Sequence, residues 1–94
     1  MKQQKPLLYI KKGCPWCIEA LNFFNSHGVD LDVRDVTKDS AALSRMIEVS
    51  NQTKCPTFEL GDFVVADFSV DEFLDALDHE PEIRGQLGLG EDDE

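Results

Sequence analysis

The sequence predicts an α/β fold built on one mixed sheet, and three observations carry that reading. A short apolar run, Leu7-Leu-Tyr-Ile10, is separated by a helix-length stretch from the alternating segment Val29-Asp-Leu-Asp-Val33, the layout of a βαβ unit with a right-handed crossover. Two later runs, Thr57-Phe-Glu-Leu60 and Phe63-Val-Val-Ala66, flank Gly61-Asp62, and glycine first in a two-residue loop suits a type II′ hairpin. Finally, Ser69-Val-Asp-Glu72 ahead of Phe73-Leu74 has the Ser-x-x-Glu form of a capping box, which opens another helix.

The elements follow in order along the chain. Leu7–Ile10 reads as a strand ended by Lys11-Lys-Gly13. Pro15 stands at the favoured first helical position, Ile18, Leu21 and Phe24 or Asn25 keep helical spacing, and Gly28 is placed as a stop, so the first helix spans about 15 to 27. Val29–Val33 alternates apolar and acidic residues as a strand with one buried and one wet face. Ala42, Leu43, Met46, Ile47 and Val49 then mark a second helix over Ser40–Ser50, with Asp35 and Asp39 flanking its entry as caps. The hairpin follows, and a third helix runs from Ser69 to the neighbourhood of His79-Glu-Pro81.

Composition bounds what such a domain does. Ninety-four residues suit one core and not two. The expected folded unit is 1–82, and the glycine-spaced, acidic segment 83–94 reads as a flexible tail. A net charge of -10 excludes a phosphate-binding surface and hence a nucleic-acid partner. The N-terminal apolar run is too short for a signal peptide or a membrane span, so no membrane partner is expected. Three cysteines, an odd count, fit a reducing cytoplasm, where a close pair serves catalysis or metal binding more often than a structural disulfide.

Chemistry concentrates in Gly13-Cys14-Pro15-Trp16-Cys17, a Cys-x-x-Cys pair at a strand-to-helix junction. Cys14 falls at the N-cap, where unpaired backbone N–H groups and the positive end of the helix dipole favour a thiolate. Lys11 adds positive charge nearby. Cys17 lies one turn further in, more buried and less able to ionise, so Cys14 attacks a disulfide and Cys17 resolves the mixed disulfide. The bland alternatives are half a zinc site or two core thiols. A closed zinc site wants four ligands, which His27, His79 and the isolated Cys55 do not supply in any motif spacing.

With these residues the chain resembles the glutaredoxin family over about residues 7 to 79. Tyr9-Ile-Lys11-Lys-Gly-Cys14-Pro-Trp-Cys17 is similar to the family's strand, loop and Cys-Pro-aromatic-Cys site, and Cys55-Pro56-Thr57-Phe58 to its Val-Pro segment with a cis proline facing the cysteines. The resemblance implies a thioredoxin-like fold: a four-stranded mixed sheet with about three helices on both faces, in the order β-α-β-α-β-β-α. It also implies reduction of protein disulfides or glutathione mixed disulfides, with glutathione as co-substrate, no tightly bound cofactor and no metal. Glutathione would lie along Cys14, Lys11 and the backbone of Cys55 before Pro56, with Trp16 as one wall. Its γ-glutamyl carboxylate would meet exposed N–H donors at Phe68-Ser69, the start of the last helix.

Three positions depart from the family pattern. Ala66-Asp67 replaces the usual Gly-Gly pair and brings a negative charge toward that carboxylate. Lys54 offers a compensating cation. Cys55 replaces a valine or threonine, either as a small apolar substitute or as a third sulfur able to act in redox chemistry or bind a soft metal such as copper(I). The leading expectation is therefore a monomeric dithiol glutaredoxin serving disulfide-containing client proteins. The alternatives are a redoxin fed by thioredoxin reductase and serving ribonucleotide reductase, a glutathione-assisted iron-sulfur binding protein, which Pro15 disfavours, and a non-catalytic adaptor.

Overall fold

In the computed structural model, which describes residues 5–87, four strands make one sheet: β1 (Leu7–Ile10), β2 (Asp32–Asp35), β3 (Thr57–Leu60) and β4 (Phe63–Ala66). Their spatial order is β2-β1-β3-β4. β1 runs parallel to β2, with Leu8 opposite Val33, and antiparallel to β3, with Leu8 opposite Phe58. β3 and β4 form an antiparallel hairpin with Leu60 opposite Phe63. Gly61 takes φ +60° in the turn, the left-handed conformation that favours glycine at that position.

Four helices are wound around this sheet among the described residues: α1 (Pro15–Ser26), α2 (Ser40–Ser50), α3 (Val70–Asp78) and α4 (Pro81–Gln86). The two-residue alternation of a strand places Leu8, Phe58 and Leu60 on one face, where they pack with Ala20 and Phe24 of α1 and Phe73 and Leu77 of α3. Tyr9 looks the other way and packs with Ala42 and Met46 of α2, together with Cys17 and Cys55. The fold is thus the thioredoxin-like one, a mixed sheet covered on both faces.

The second face also carries a buried charge. The Glu59 side chain is only 6% exposed, yet it accepts a 2.7 Å hydrogen bond from the Tyr9 hydroxyl and a 2.7 Å ion-paired bond from Arg45 Nη2. Those partners supply the two strong donors that a buried carboxylate needs. Burial, followed by the neighbouring Glu59 carboxylate, pushes the Tyr9 hydroxyl well above the ordinary tyrosine range. The triad ties β1, β3 and α2 together.

The second strand begins at Asp32 and not at Val29. Val29 is buried and Leu31 packs against the same cluster, but both do so before the ladder begins; the Val29 amide bonds the Phe24 carbonyl at 3.0 Å, closing the end of α1. The alternation in the sequence thus marked packing of a connecting segment. On α1 the buried stripe is Cys17, Ala20 and Phe24, while Ile18 is 56% exposed. The small residues Cys17 and Ala20 let the helix approach the sheet closely, a signal that large apolar residues at similar spacing conceal. At α2, Asp39 is the N-cap and accepts from the Ala42 amide at 3.1 Å, whereas Asp35 stabilises the preceding turn through Thr37.

A boundary at residue 82 with a tail from 83 is corrected by α4, a fourth helix where three were expected. Pro81 stands at its start, Ile83 packs on the first core cluster, and Leu87 is 8% exposed within it. The rest of that segment, 88–94, lies outside the described residues. Among the described residues no helix is long and apolar enough to cross a membrane.

Candidate functional site

β1 delivers the chain to a turn in which Gly13 adopts φ +75°, a conformation open to glycine at little cost. The turn sets Cys14 at the N-cap of α1, with Pro15 next at the start of the helix. Cys14 is partly exposed, and its Sγ accepts from the Cys17 amide at 3.3 Å, so the sulfur uses one of the orphan donors of the helix start. On its other side the thiol points at the Cys55 carbonyl oxygen, 3.8 Å away. Cys55 precedes Pro56 through a cis peptide bond.

Cys17 differs in kind. It is 2% exposed, and its thiol is pushed up to about 12, first by burial and then by its hydrogen bond to Cys14, against a smaller lowering by a backbone bond at Lys11. Cys55 is likewise buried, and burial pushes its thiol up to about 11 while the Lys11 charge pulls the other way. The Cys55 Sγ turns into the core and lies 3.7 Å from Met46 Sδ. Among the described residues no group of three or more His, Cys, Asp or Glu side chains is placed to hold a metal, Cys14, Cys17 and Cys55 included. Cys55 packs as a small apolar residue, and its backbone rather than its sulfur faces Cys14.

The shifted thiols have a consequence for stability. The folded state retains the Cys17 and Cys55 protons above the pH at which an unfolded cysteine, with pKa about 8.5, releases them. Stability of the reduced protein is therefore complete below about pH 8.5 and is lost as pH rises toward about 11 for Cys55 and about 12 for Cys17. Urea midpoints measured under reducing conditions will fall over this range, and less steeply in Cys55→Val; equal slopes for the two proteins would contradict the assignment.

Beside the pair a groove of about 280 Å³ is lined by Trp16, Asp67, Phe68, Ser69 and Glu72. Three residues expected to touch a substrate, Trp16, Phe68 and Ser69, thus come together, with Trp16 54% exposed as a wall. The Cys55 carbonyl, one bond before Pro56, lies next to Cys14. Lys11 acts electrostatically on the Cys55 thiol without lining the groove, and Lys54 is exposed outside it. Asp67 holds φ +55°, and its amide bonds the Pro56 carbonyl at 2.9 Å, which fixes it against the cis-proline segment.

At the start of α3 the Ser69 amide, one of the donors expected to face a ligand, is already bonded within the protein. Both halves of the capping box are present: the Ser69 amide donates to Glu72 Oε1 at 2.9 Å, and the Glu72 amide donates to Ser69 Oγ at 3.2 Å. The motif was legible as a helix start, but the same motif fills the Ser69 and Glu72 donors. A larger cavity of about 470 Å³ lies near Pro6, Val29, Leu60 and Leu87, beyond the N-terminal end of β1, and holds neither cysteine nor histidine.

A dithiol at the N-terminus of a helix, facing a cis-proline loop on a thioredoxin-like sheet, defines the class of small redoxins, proteins that exchange thiols and disulfides. A sequence profile described as glutaredoxin matches residues 7–65, and the chain belongs to the glutaredoxin family. Among solved structures it is similar to the thioredoxin-like protein BC3987, at 29% identity and TM-score 0.70, covering 78% of this chain and 100% of that one. It is also similar in fold to the glutaredoxin of Archaeoglobus fulgidus, at 22% identity and TM-score 0.68, covering 78% and 85% of the two chains. The glutaredoxin-like NrdH-redoxin of Escherichia coli, described as having a thioredoxin-like activity profile, matches at 17% identity and TM-score 0.64, over 77% and 93%. No curated protein matches the sequence.

Proposed function

We propose that this protein is a dithiol thiol-disulfide oxidoreductase that reduces disulfides of client proteins, with Cys14 as nucleophile and Cys17 as resolving thiol. The observation that carries the reading is the contrast within the pair: Cys14 is partly exposed on a helix-start amide, 3.3 Å from its sulfur, while Cys17 is buried with its thiol held protonated up to about 12. The Cys14 thiolate attacks one sulfur of the client disulfide, a Cys14–client S–S bond forms, and the second client sulfur leaves as thiolate and takes a proton.

The second step follows from the causes of the Cys17 shift. After burial, two of them are the hydrogen bond to Cys14 and the charge of Cys14. The second step therefore requires Cys17 to lose a proton that burial, the first of these causes, holds on it. It gives its proton to solvent and attacks Cys14 Sγ; the Cys14–Cys17 bond forms and the client leaves as a free thiol. Two electrons pass from the pair to the client; of the two protons the client takes up, Cys17 supplies one by way of solvent and solvent supplies the other, and an external dithiol or pair of thiols restores the enzyme by the reverse exchange.

Glutathione and a flavoprotein reductase of the thioredoxin reductase type are the two candidate reductants in a reducing compartment such as the cytoplasm. The filled Ser69 amide and the Asp67 carboxylate beside it favour the reductase, since both work against an anionic tripeptide in the groove. Turnover of bis(2-hydroxyethyl) disulfide will be supported by thioredoxin reductase and only weakly by glutathione with glutathione reductase. The Cys17→Ser protein will accumulate a Cys14 mixed disulfide visible by mass spectrometry. Absence of that adduct would refute the division of roles, and efficient glutathione-driven turnover would reverse the choice of reductant.

A further inference from the structure

Resting on that exchange reading, we propose that Glu72 and Asp67 set the charge preference of the reaction, so that the groove beside Cys14 takes a cationic side chain of the disulfide partner. A helix N-terminus ordinarily attracts anions through its unpaired N–H groups. Here the protein supplies its own anion: the Glu72 carboxylate sits on the Ser69 amide at 2.9 Å, at the mouth of α3. A partner carboxylate entering the groove lies between the Glu72 carboxylate and that of Asp67, which the bond from its amide to the Pro56 carbonyl keeps next to the segment facing Cys14.

The remaining wall suits the opposite charge. Trp16 is 54% exposed and lines the same groove, and an indole face attracts a cation through its ring quadrupole. Two carboxylates and one indole around about 280 Å³ make room for a lysine or arginine side chain near the client's disulfide. Lys11 does not line the groove, and its charge is felt at Cys55 on the other side of Cys14. Its effect on any partner is common to wild type and to groove variants, so it cancels when the two are compared.

The test oxidises the reduced full-length protein with three small disulfides: cystamine, bis(2-hydroxyethyl) disulfide and 3,3′-dithiodipropionate, which are cationic, neutral and anionic. Trp16, the single tryptophan, gives the fluorescence signal. Each rate is divided by that of the same disulfide with dithiothreitol, which removes intrinsic differences in leaving-group reactivity. In wild type the normalised cationic-to-anionic ratio will be about tenfold or more, as expected for two carboxylates each contributing on the order of a surface ion pair, and it will shrink with added salt. In Glu72→Gln with Asp67→Asn the ratio will fall toward one; glutamine keeps the capping-box hydrogen bond, so the helix start is preserved. A wild-type ratio near one, or an unchanged ratio in the double variant, overturns the proposal. Failure of the neutral disulfide to oxidise the dithiol at all would instead overturn the exchange reading beneath it.

Discussion

Cys14→Ser will abolish disulfide reduction, with a loss on the order of 10³-fold or more, because a hydroxyl at this pH is neither ionised nor a competent nucleophile toward sulfur. The substitution isolates chemistry from folding. Serine is a preferred N-cap, and its oxygen can accept from the Cys17 amide as Cys14 Sγ does, so the start of α1 is retained or slightly strengthened. Thermal unfolding of the variant should therefore match the reduced wild type within about 1 kcal/mol. The mixed disulfide trapped by Cys17→Ser should also be absent from the double variant lacking Cys14. Residual turnover above about a tenth of wild type would mean that Cys17 or Cys55 can start the reaction, and burial of both thiols argues against that.

The same contrast shows which parts of the site could be read from the sequence. Cys14-Pro15-Trp16-Cys17 announces itself through local rules: a glycine turn, a proline at the first helical position and a helix N-terminus act within a few residues. The cis peptide at Cys55-Pro56 was legible only through family resemblance, because its position beside Cys14 depends on sheet order. The capping box was visible as Ser69-x-x-Glu72, yet its consequence for an anionic ligand was not, since that depends on the groove that Trp16 and Asp67 share with it. Burial of Glu59 was hidden for a similar reason. In an alternating strand it reads as a wet position, and only the packing of α2 over β3, with Arg45 and Tyr9 arriving from distant segments, encloses it. The α4 helix was missed because six residues ending in glycine and glutamine carry little helical signal, and what holds them is burial of Ile83 and Leu87 against the core.

Those nonlocal contacts converge on Phe73, and Phe73→Ala will destabilise the protein by about 3–5 kcal/mol, the range for removing a buried phenylalanine. The side chain is fully buried on α3. Its ring lies 4.9 Å from Phe58 and 5.1 Å from Phe24, both edge-on, and 5.2 Å from Phe68, so it joins α3 to the central strand β3, to α1 and to the loop that carries the groove. Alanine would leave a cavity enclosed by rings from three segments that cannot all move in together, because Phe58 is fixed in the sheet and Phe24 is also packed 5.6 Å against it. For a domain of this size each kcal/mol shifts the melting temperature by about 4–8 °C, so a fall of roughly 12–40 °C is expected. Phe73→Leu, which fills most of the space, should cost about 1–1.5 kcal/mol. The loss should also reach function before global unfolding does. Phe68 rests on Phe73 and lines the groove, so the folded fraction of Phe73→Ala should lose discrimination between charged disulfides while its Cys14 thiol still reacts with an alkylating reagent. A melting temperature within about 5 °C of wild type would show that the aromatic cluster can close around the gap, and that α3 and its groove are held chiefly by Leu77 and the packing of α4.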